Sequence, residues 1–461
     1  MIMEIGSDLR IAAPTKQVMD WCKDTLTLPN PEYQKKVRMN LWTGNTPKSL
    51  ALYTINGEVL SLPFGCLRSL LEFYDGAIVP CFHKPNRIDY GGLVPLYQYQ
   101  RDAVDAMVAN HYGILQSPAG SGKTQMGIAL ACRLGVKALW LTHTKDLLDQ
   151  SKSRAEQYVD PSLLGTITEG KVKIGKAMTF ATIQTLCKLD LDEYRYEWDC
   201  IIVDECHRVS GTPTAVTQFS KVLNRLCAKH KFGLSATVHR ADGLIKATYA
   251  MLGEVVYVVP DEAVKSRVMP PVIVPKGTGV GLHSSFLNSD GTIDYVKMIS
   301  YLTANRDRNE LILKDLLENR GHFNLILSER VEHLKHLYSQ LPTEVQQQAA
   351  VIDGKMTSKA QKAARVQAVE DMRTGAKKYL FATYSLAKEG LDIPRLDRLY
   401  LTTPQKDYAC IVQSVGRVAR VFEGKQQPVV YDYVDSIRSL LKSYKHRCTH
   451  YRKCGCSIQE N

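Results

Sequence analysis

The chain has 461 residues, 44% of them hydrophobic and 23% charged, with a formal net charge of +12 at pH 7. At ~100–200 residues per domain this length predicts two to four domains with full cores, and the composition excludes disordered, fibrous and collagen-like chains. No run of ~18 apolar residues fits a membrane span, so no membrane partner is expected and the positive charge points to a polyanion.

The N-terminus, MIMEIGSDLRIAAP, carries an early acid and no apolar stretch long enough for a signal peptide. Twelve cysteines are scattered along the chain, several inside apolar runs (Cys132, Cys200, Cys227), where a thiol behaves as a small hydrophobe. Reduced thiols in a cytosolic compartment are the expectation.

Residues 1–90 mix short apolar runs with turn signals, LPNPEY at 28–33 and TGNTP at 43–47. INGEVLSLPFG (55–65) predicts a β-hairpin turning at Asn56-Gly57. A small α/β or α+β accessory domain is expected there, without the spacing of a catalytic site. From 91 to 260, apolar runs alternate with longer helical stretches: GILQS (113–117), KALWLTH (137–143), AMTFAT (177–182), CIIVDE (200–205) and KFGLSAT (231–237). Their continuous apolarity implies burial on both faces, hence a parallel sheet covered by helices. Residues 261–300 are rich in proline and glycine and read as an irregular linker leading into a second domain. From 301 to 440 the alternation resumes with NLILS (324–328), AAVID (349–353), KYLFAT (378–383), RLYLTT (398–403) and VVYDYV (429–434). Two tandem α/β domains are the simplest account, followed by a basic tail at 441–461.

SPAGSGKT (117–124) lies between a strand and a helical run and fits the phosphate-loop pattern, with Ser117 in place of its first glycine. Gly120 and Gly122 allow a tight turn whose N–H groups converge on phosphate oxygens; Ser121 belongs to the same turn. Lys123 reaches the β- and γ-phosphates, and the Thr124 hydroxyl is a ligand for Mg²⁺. A Gly-rich helix entry that binds nothing is the competing reading. VDECH (203–207) places Asp204 and Glu205 at the carboxyl end of a buried strand, where open α/β sheets bind ligands. There Asp204 suits the Mg²⁺ shell and Glu205 the attacking water, although two acids at a strand end also suit a solvated turn. His207 reads simply as a polar residue starting a loop. QSVGRVAR (413–420) carries Arg417 and Arg420, which share one face if the segment is helical. Such a pair suits a transferring phosphoryl group, or a solvated basic face.

In order and spacing, these segments resemble the superfamily 2 helicases over residues 95–440. SPAGSGKT resembles motif I, VDECH motif II in its DExH form, GLSAT motif III, EGLDIP motif V and QSVGRVAR motif VI. The resemblance implies two RecA-like domains with ATP and Mg²⁺ bound in the cleft between them. It implies catalytic roles for Lys123, Asp204, Glu205, Gln413, Arg417 and Arg420, and nucleotide contacts from Gln100, Gly390 and Asp392. It further implies coupling through Ser235 and Thr237, and nucleic-acid contacts from Thr144, Lys145, Thr182, Gln184, Arg240 and Thr383. The extension GLSATVHRADG and the N-terminal LPNPEY…TGNTPKSLALY…LSLPFG are similar to the phage UvsW-like DNA helicases. That branch implies activity on single-stranded, forked or junction DNA in recombination, repair or replication, in the cytoplasm of a bacterial or phage-infected cell. In this pattern Phe64 stands where an arginine often follows the proline.

An RNA helicase shares every motif, and a duplex translocase that separates no strands shares the motor. A passive scaffold is disfavoured by the intact Lys123, Asp204, Glu205, Arg417 and Arg420. The tail also holds Cys448, His450, Cys454 and Cys456. Their spacing is compressed relative to paired zinc ligands, so zinc is not expected.

Overall fold

A computed structural model describes residues 1–460 except 86, 119, 211, 237–244, 265–267, 355–357, 389, 390, 392 and 406. It divides into two compact units, Met1–Ala263 and Val264–Asn461.

The first unit is built on an eight-stranded sheet. Its centre is parallel, with Ala138–Thr142, Cys200–Asp204, His230–Ser235 and Tyr112–Gln116 side by side in that order. Their side chains are buried almost throughout, as the continuous apolar runs require of strands covered on both faces. The parallel arrangement brings the carboxyl ends of all four strands to one edge. Two strands had no apolar signal: Leu164–Thr168 and Lys171–Lys173 form an antiparallel hairpin at one side of the sheet. It turns at Glu169-Gly170, both with positive φ, the geometry of a tight hairpin turn.

Residues 1–90 do not stand apart from this unit. Their five-stranded sheet includes the hairpin at Asn56-Gly57, with Thr54–Asn56 antiparallel to Val59–Leu62. Leu9, Ile11, Leu60, Leu62, Phe64 and Leu70 belong to the same apolar core as Ile114, Leu139 and Ile201 of the larger sheet. Phe64, the departure noted above, is 3% exposed, and its ring meets Tyr112 edge-on at 5.1 Å. Burial in a shared core accounts for an apolar residue at that position.

Lys231 ties the two sheets together from inside. It lies on the strand His230–Ser235 with no exposure, and its ammonium donates to the carbonyls of Ser7 (2.6 Å) and Leu223 (2.8 Å). The same nitrogen lies 4.7 Å from the centre of the Phe64 ring. Desolvation lowers its pKa to about 7, because the nearby Cys227 and Asp8 only partly offset it. Between pH 7 and 9 the unfolded chain therefore holds a proton there that the folded chain releases, and stability rises with pH. We expect wild type to gain about 2 kcal/mol more over that interval than Lys231→Met, measured by denaturant unfolding. Parallel pH curves for the two proteins would show that Lys231 carries no such penalty.

The second unit holds a seven-stranded sheet in which every pairing is parallel. All five predicted strands are present. The stretch read as an irregular linker supplies a sixth, Val272–Gly277, which pairs along its whole length with Val429–Val434. On its other side Ser457–Ile458 pairs only with Val272 and Ile273. Pro275 thus sits where the strand has become an edge and no ladder N–H is missed.

The basic segment 441–461, whose HRCTHYRKCGCSI resembles a closing helix of the family in its spaced Arg, Tyr and Gly, is largely helical. The helix Arg438–Lys453 packs on the sheet and buries Arg447 and Tyr451. Arg447 makes a two-pronged bond to Asp432 (2.8 Å at each oxygen), and the Tyr451 hydroxyl donates to the same carboxylate at 2.8 Å. Among the described residues, no three His, Cys, Asp or Glu side chains are arranged to hold a metal, and no helix is long and apolar enough to cross a membrane.

Candidate nucleotide site and motor elements

The turn 117–124 leaves the strand Tyr112–Gln116 and enters the helix Lys123–Leu134. Gly120 and Gly122 have φ of +84° and +85°, which side chains rarely adopt. At Gly122 the space is also taken, since a Cβ would stand 2.5 Å from Gln100 Nε2. The loop therefore requires glycine for two independent reasons.

Gln100 lies 2% exposed in the first turn of the helix Gln98–Asn110. Its Oε1 accepts from the Tyr97 N–H at 3.0 Å, and its Nε2 donates to the Ser121 carbonyl at 2.9 Å. The Tyr99 hydroxyl donates to that same carbonyl at 2.9 Å. Gln100 thus fastens the phosphate loop to the preceding helix. Ser117 and Ser121 are joined through their hydroxyls, and the serine in the first-glycine position is consequently buried and bonded.

Lys123 Nζ contacts the carbonyls of Ser117 and Pro118 at 3.4 and 3.5 Å. Those distances are long for ammonium hydrogen bonds, so stronger acceptors have room to replace them. Thr124 occupies the first turn of the same helix, where unpaired N–H groups favour anions.

Asp204 ends the strand Cys200–Asp204 and is 7% exposed. Its oxygens accept from the Glu205 N–H (2.9 Å) and the Ser151 hydroxyl (3.3 Å). Burial, then the adjacent Glu205 charge, raise its pKa far above the usual carboxylate range. Burial pushes Glu205 up as well, but the hydrogen bond from His207 and the Lys123 charge overcome it and hold its pKa low. Two adjacent carboxyls with pKa values driven apart are the arrangement from which distinct acid and base roles arise. Glu205 also has φ +47°, a strained conformation costing ~1–3 kcal/mol for a residue with a side chain.

His207 is more than the polar loop residue expected. It is 9% exposed, with Nδ1 2.9 Å from Ser235 Oγ and 3.2 Å from Glu205 Oε2. One ring nitrogen therefore lies close to both Glu205 and Ser235, which is fully buried at the end of the neighbouring strand. The signal was present in the spacing from Glu205 to His207.

The remaining candidates of this unit line the same sheet edge. Thr144 caps the helix Lys145–Ala155 by accepting from Leu147 N–H, and Lys145 pairs with Glu169 at 2.6 Å. Thr182 bonds Thr185 at 3.0 Å, while Gln184 donates to the His143 carbonyl at 2.8 Å.

In the second unit Thr383, 9% exposed, ends the strand Tyr379–Thr383 and bonds Ser385 at 2.9 Å. Gln413 and Arg417 lie on the helix Tyr408–Val418. The Gln413 side-chain oxygen is buried without a hydrogen-bond partner among the described residues. Arg417 Nε donates to the Ala387 carbonyl at 3.0 Å. Arg420 does not share this helix, contrary to the expectation of one common face. The helix stops at Val418 because the next residues bond elsewhere: Met269 N–H donates to the Ala419 carbonyl (2.7 Å), and Arg420 bridges Val268. Lys425 then donates to the carbonyls of Val418 and Arg420, each at 2.7 Å, fixing the backbone under Arg420. Thr237, Arg240, Gly390 and Asp392 lie outside the described residues.

Comparison with known proteins gives two family matches: "Type III restriction enzyme, res subunit" over residues 93–240 and "Helicase conserved C-terminal domain" over 308–422. A putative ATP-dependent RNA helicase of Acanthamoeba polyphaga mimivirus is 26% identical over 89% of this chain and 77% of its own length. The ATP-dependent DNA helicase uvsW of Enterobacteria phage T4 is 23% identical over 73% of this chain and 68% of its own. In fold, the chain is similar to S. cerevisiae Dbp5 bound to RNA and ADP BeF3, with TM-score 0.58, 15% identity, and coverage of 86% of this chain and 94% of that one. The two family matches fall one on each unit, in the order that the motifs require. The chain accordingly belongs to the superfamily 2 helicases, among the relatives of phage UvsW, and is an ATP-dependent nucleic-acid helicase.

Proposed function

We propose that this helicase acts on DNA, and on forked or four-way structures in preference to linear duplex. The observation that carries its motor chemistry is the setting of Glu205, which the Lys123 charge favours in its ionised form and which lies 3.2 Å from His207 Nδ1, itself 2.9 Å from Ser235 Oγ. It joins the phosphate loop, the paired acids and the neighbouring strand within one unit.

ATP is the substrate, and the residues present fit it. The left-handed glycines turn N–H groups into the loop, and Lys123 has only long bonds to exchange. Asp204 fits a divalent cation, because the Lys123 charge only partly offsets its burial and the adjacent Glu205 charge. Thr124 and Asp204 would hold Mg²⁺, which when bound neutralises charge on the phosphates. Glu205, kept ionised by His207 and Lys123, accepts the proton of the attacking water. Arg417 and Arg420 serve as cations for the transferring phosphoryl group, and Gln413 offers an amide oxygen for the water. Gln100, Gly390 and Asp392 complete the nucleotide contacts. His207 and Ser235, with Thr237, pass the change in the site to the strands that carry nucleic-acid contacts. Those contacts come from Thr144, Lys145, Thr182, Gln184, Arg240 and Thr383.

The phage relative named a DNA helicase supports DNA, and the likeness of LPNPEY…TGNTPKSLALY…LSLPFG to the UvsW-like branch supports a role for residues 1–90 in holding branched substrates. The mimivirus relative named an RNA helicase favours the second reading, unwinding of RNA. The two are separated by ATP-dependent strand displacement from a labelled four-way junction, a fork, a linear DNA duplex and an RNA duplex. We expect product from the branched DNAs first; product from the RNA duplex alone would overturn the reading.

A further inference from the structure

We infer that the cleft between the Trp42 loop and the helix Pro213–Leu223 receives an unstacked nucleobase of a single strand. This rests on the nucleic-acid activity above and adds a contact outside the motor motifs.

Trp42 is 88% exposed, the most exposed tryptophan of the four in the chain. Trp140 and Trp198 are fully buried, and Trp21 packs on Phe73. Val37, Met39 and Leu41 beside it are also exposed by half or more. The loop is nonetheless braced. The indole lies over Gly44, whose missing side chain makes room for it. Asn30, 1% exposed, donates to the Pro47 carbonyl at 2.8 Å, and its backbone N–H donates to the Lys48 carbonyl at 3.1 Å. Lys36 donates to Thr46 Oγ1 at 2.6 Å. Beside the ring is a cleft of about 370 Å³, bounded by Asn30, Glu32, Lys36, Trp42, Pro47 and Thr214 among others.

Charge identifies the occupant. Between Glu32 and Glu58 the chain has Lys35, Lys36, Arg38 and Lys48 and no carboxylate. The carboxylate that lines the cleft, Glu32, is offset by Lys36 at 3.4 Å, whereas Lys35, Arg38 and Lys48 have no ion pair among the described residues. Protein interfaces are depleted in lysine, whereas a basic surface around a presented aromatic ring is how single strands are held without regard to sequence. The ring stacks on a base while the cations hold its flanking phosphates.

The test uses the full chain and a single-stranded oligothymidylate, which does not fluoresce. Trp42 supplies the emission that acrylamide quenches most readily, and the oligonucleotide is expected to protect it. Trp42→Ala should lose that component and bind ~5–150-fold more weakly, with basal ATPase unchanged, while Trp42→Phe should retain most of the affinity. Equal binding by wild type and Trp42→Ala, in a protein whose ATPase responds to nucleic acid, overturns this inference alone. A wild-type ATPase indifferent to every nucleic acid overturns the functional reading instead. Protection that grows with protein concentration and no oligonucleotide gives the loop to a second copy of the chain, which also overturns the inference.

Discussion

Arg420→Ala binds ATP with little change and loses ~10³-fold or more of turnover, the range measured when a phosphoryl-stabilising arginine is removed. Its backbone supports a large and specific effect. Arg420 lies beyond the helix end, bridged to Val268, with its carbonyl held by Lys425 at 2.7 Å. Removing its side chain leaves those backbone bonds intact, and thermal unfolding of the variant checks that the fold survives. Arg417 differs, because its Nε holds the Ala387 carbonyl at 3.0 Å. Arg417→Ala therefore mixes a catalytic loss with the loss of that backbone contact. Single-turnover hydrolysis alongside nucleotide binding makes the distinction. Normal turnover in Arg420→Ala removes it from the catalytic set.

Lys123→Ala is expected to lower ATP turnover by at least ~10²–10³-fold, as loss of a preorganised charge at a phosphoryl site does. Two effects act together. The ammonium no longer meets the phosphates, and its field no longer favours ionised Asp204 and Glu205, both of which it now pulls toward the charged form. The loop should keep its shape, since Gln100, Tyr99 and the Ser117–Ser121 pair hold it without Lys123. Nucleic-acid binding, measured by fluorescence anisotropy, should then remain near wild type. Loss of that binding along with turnover would mean that Lys123 supports the fold rather than the chemistry.

The sheets were legible wherever a strand is buried on both faces, because continuous apolarity then has no other use. The chain conceals strands that are short or irregular. Lys171–Lys173 is exposed and polar, and Val272–Gly277 carries Pro275 in a stretch dense with proline and glycine. The glycine turn 117–124 and the adjacent acids lie where their spacing put them, between a strand and a helix and at a strand's carboxyl end. Helical spacing misplaced Arg420 because a distant partner, Val268, captures the chain after Val418. His207 and Lys231 gained their roles only from neighbours far away in sequence, Ser235 in one case and Ser7 in the other. The spaced Arg447 and Tyr451 were legible as a closing-helix pattern, but their partner, the buried Asp432, was not.

The most direct test of the motor assignment is steady-state ATP hydrolysis by the full chain, with Lys123→Ala as control. Single-stranded DNA, duplex, fork, four-way junction and single-stranded RNA are compared at fixed salt, because phosphate contacts make affinity strongly salt-dependent. The account predicts low basal turnover, strong stimulation greatest with branched DNA, and none in the control. Turnover in wild type that no nucleic acid changes would contradict it.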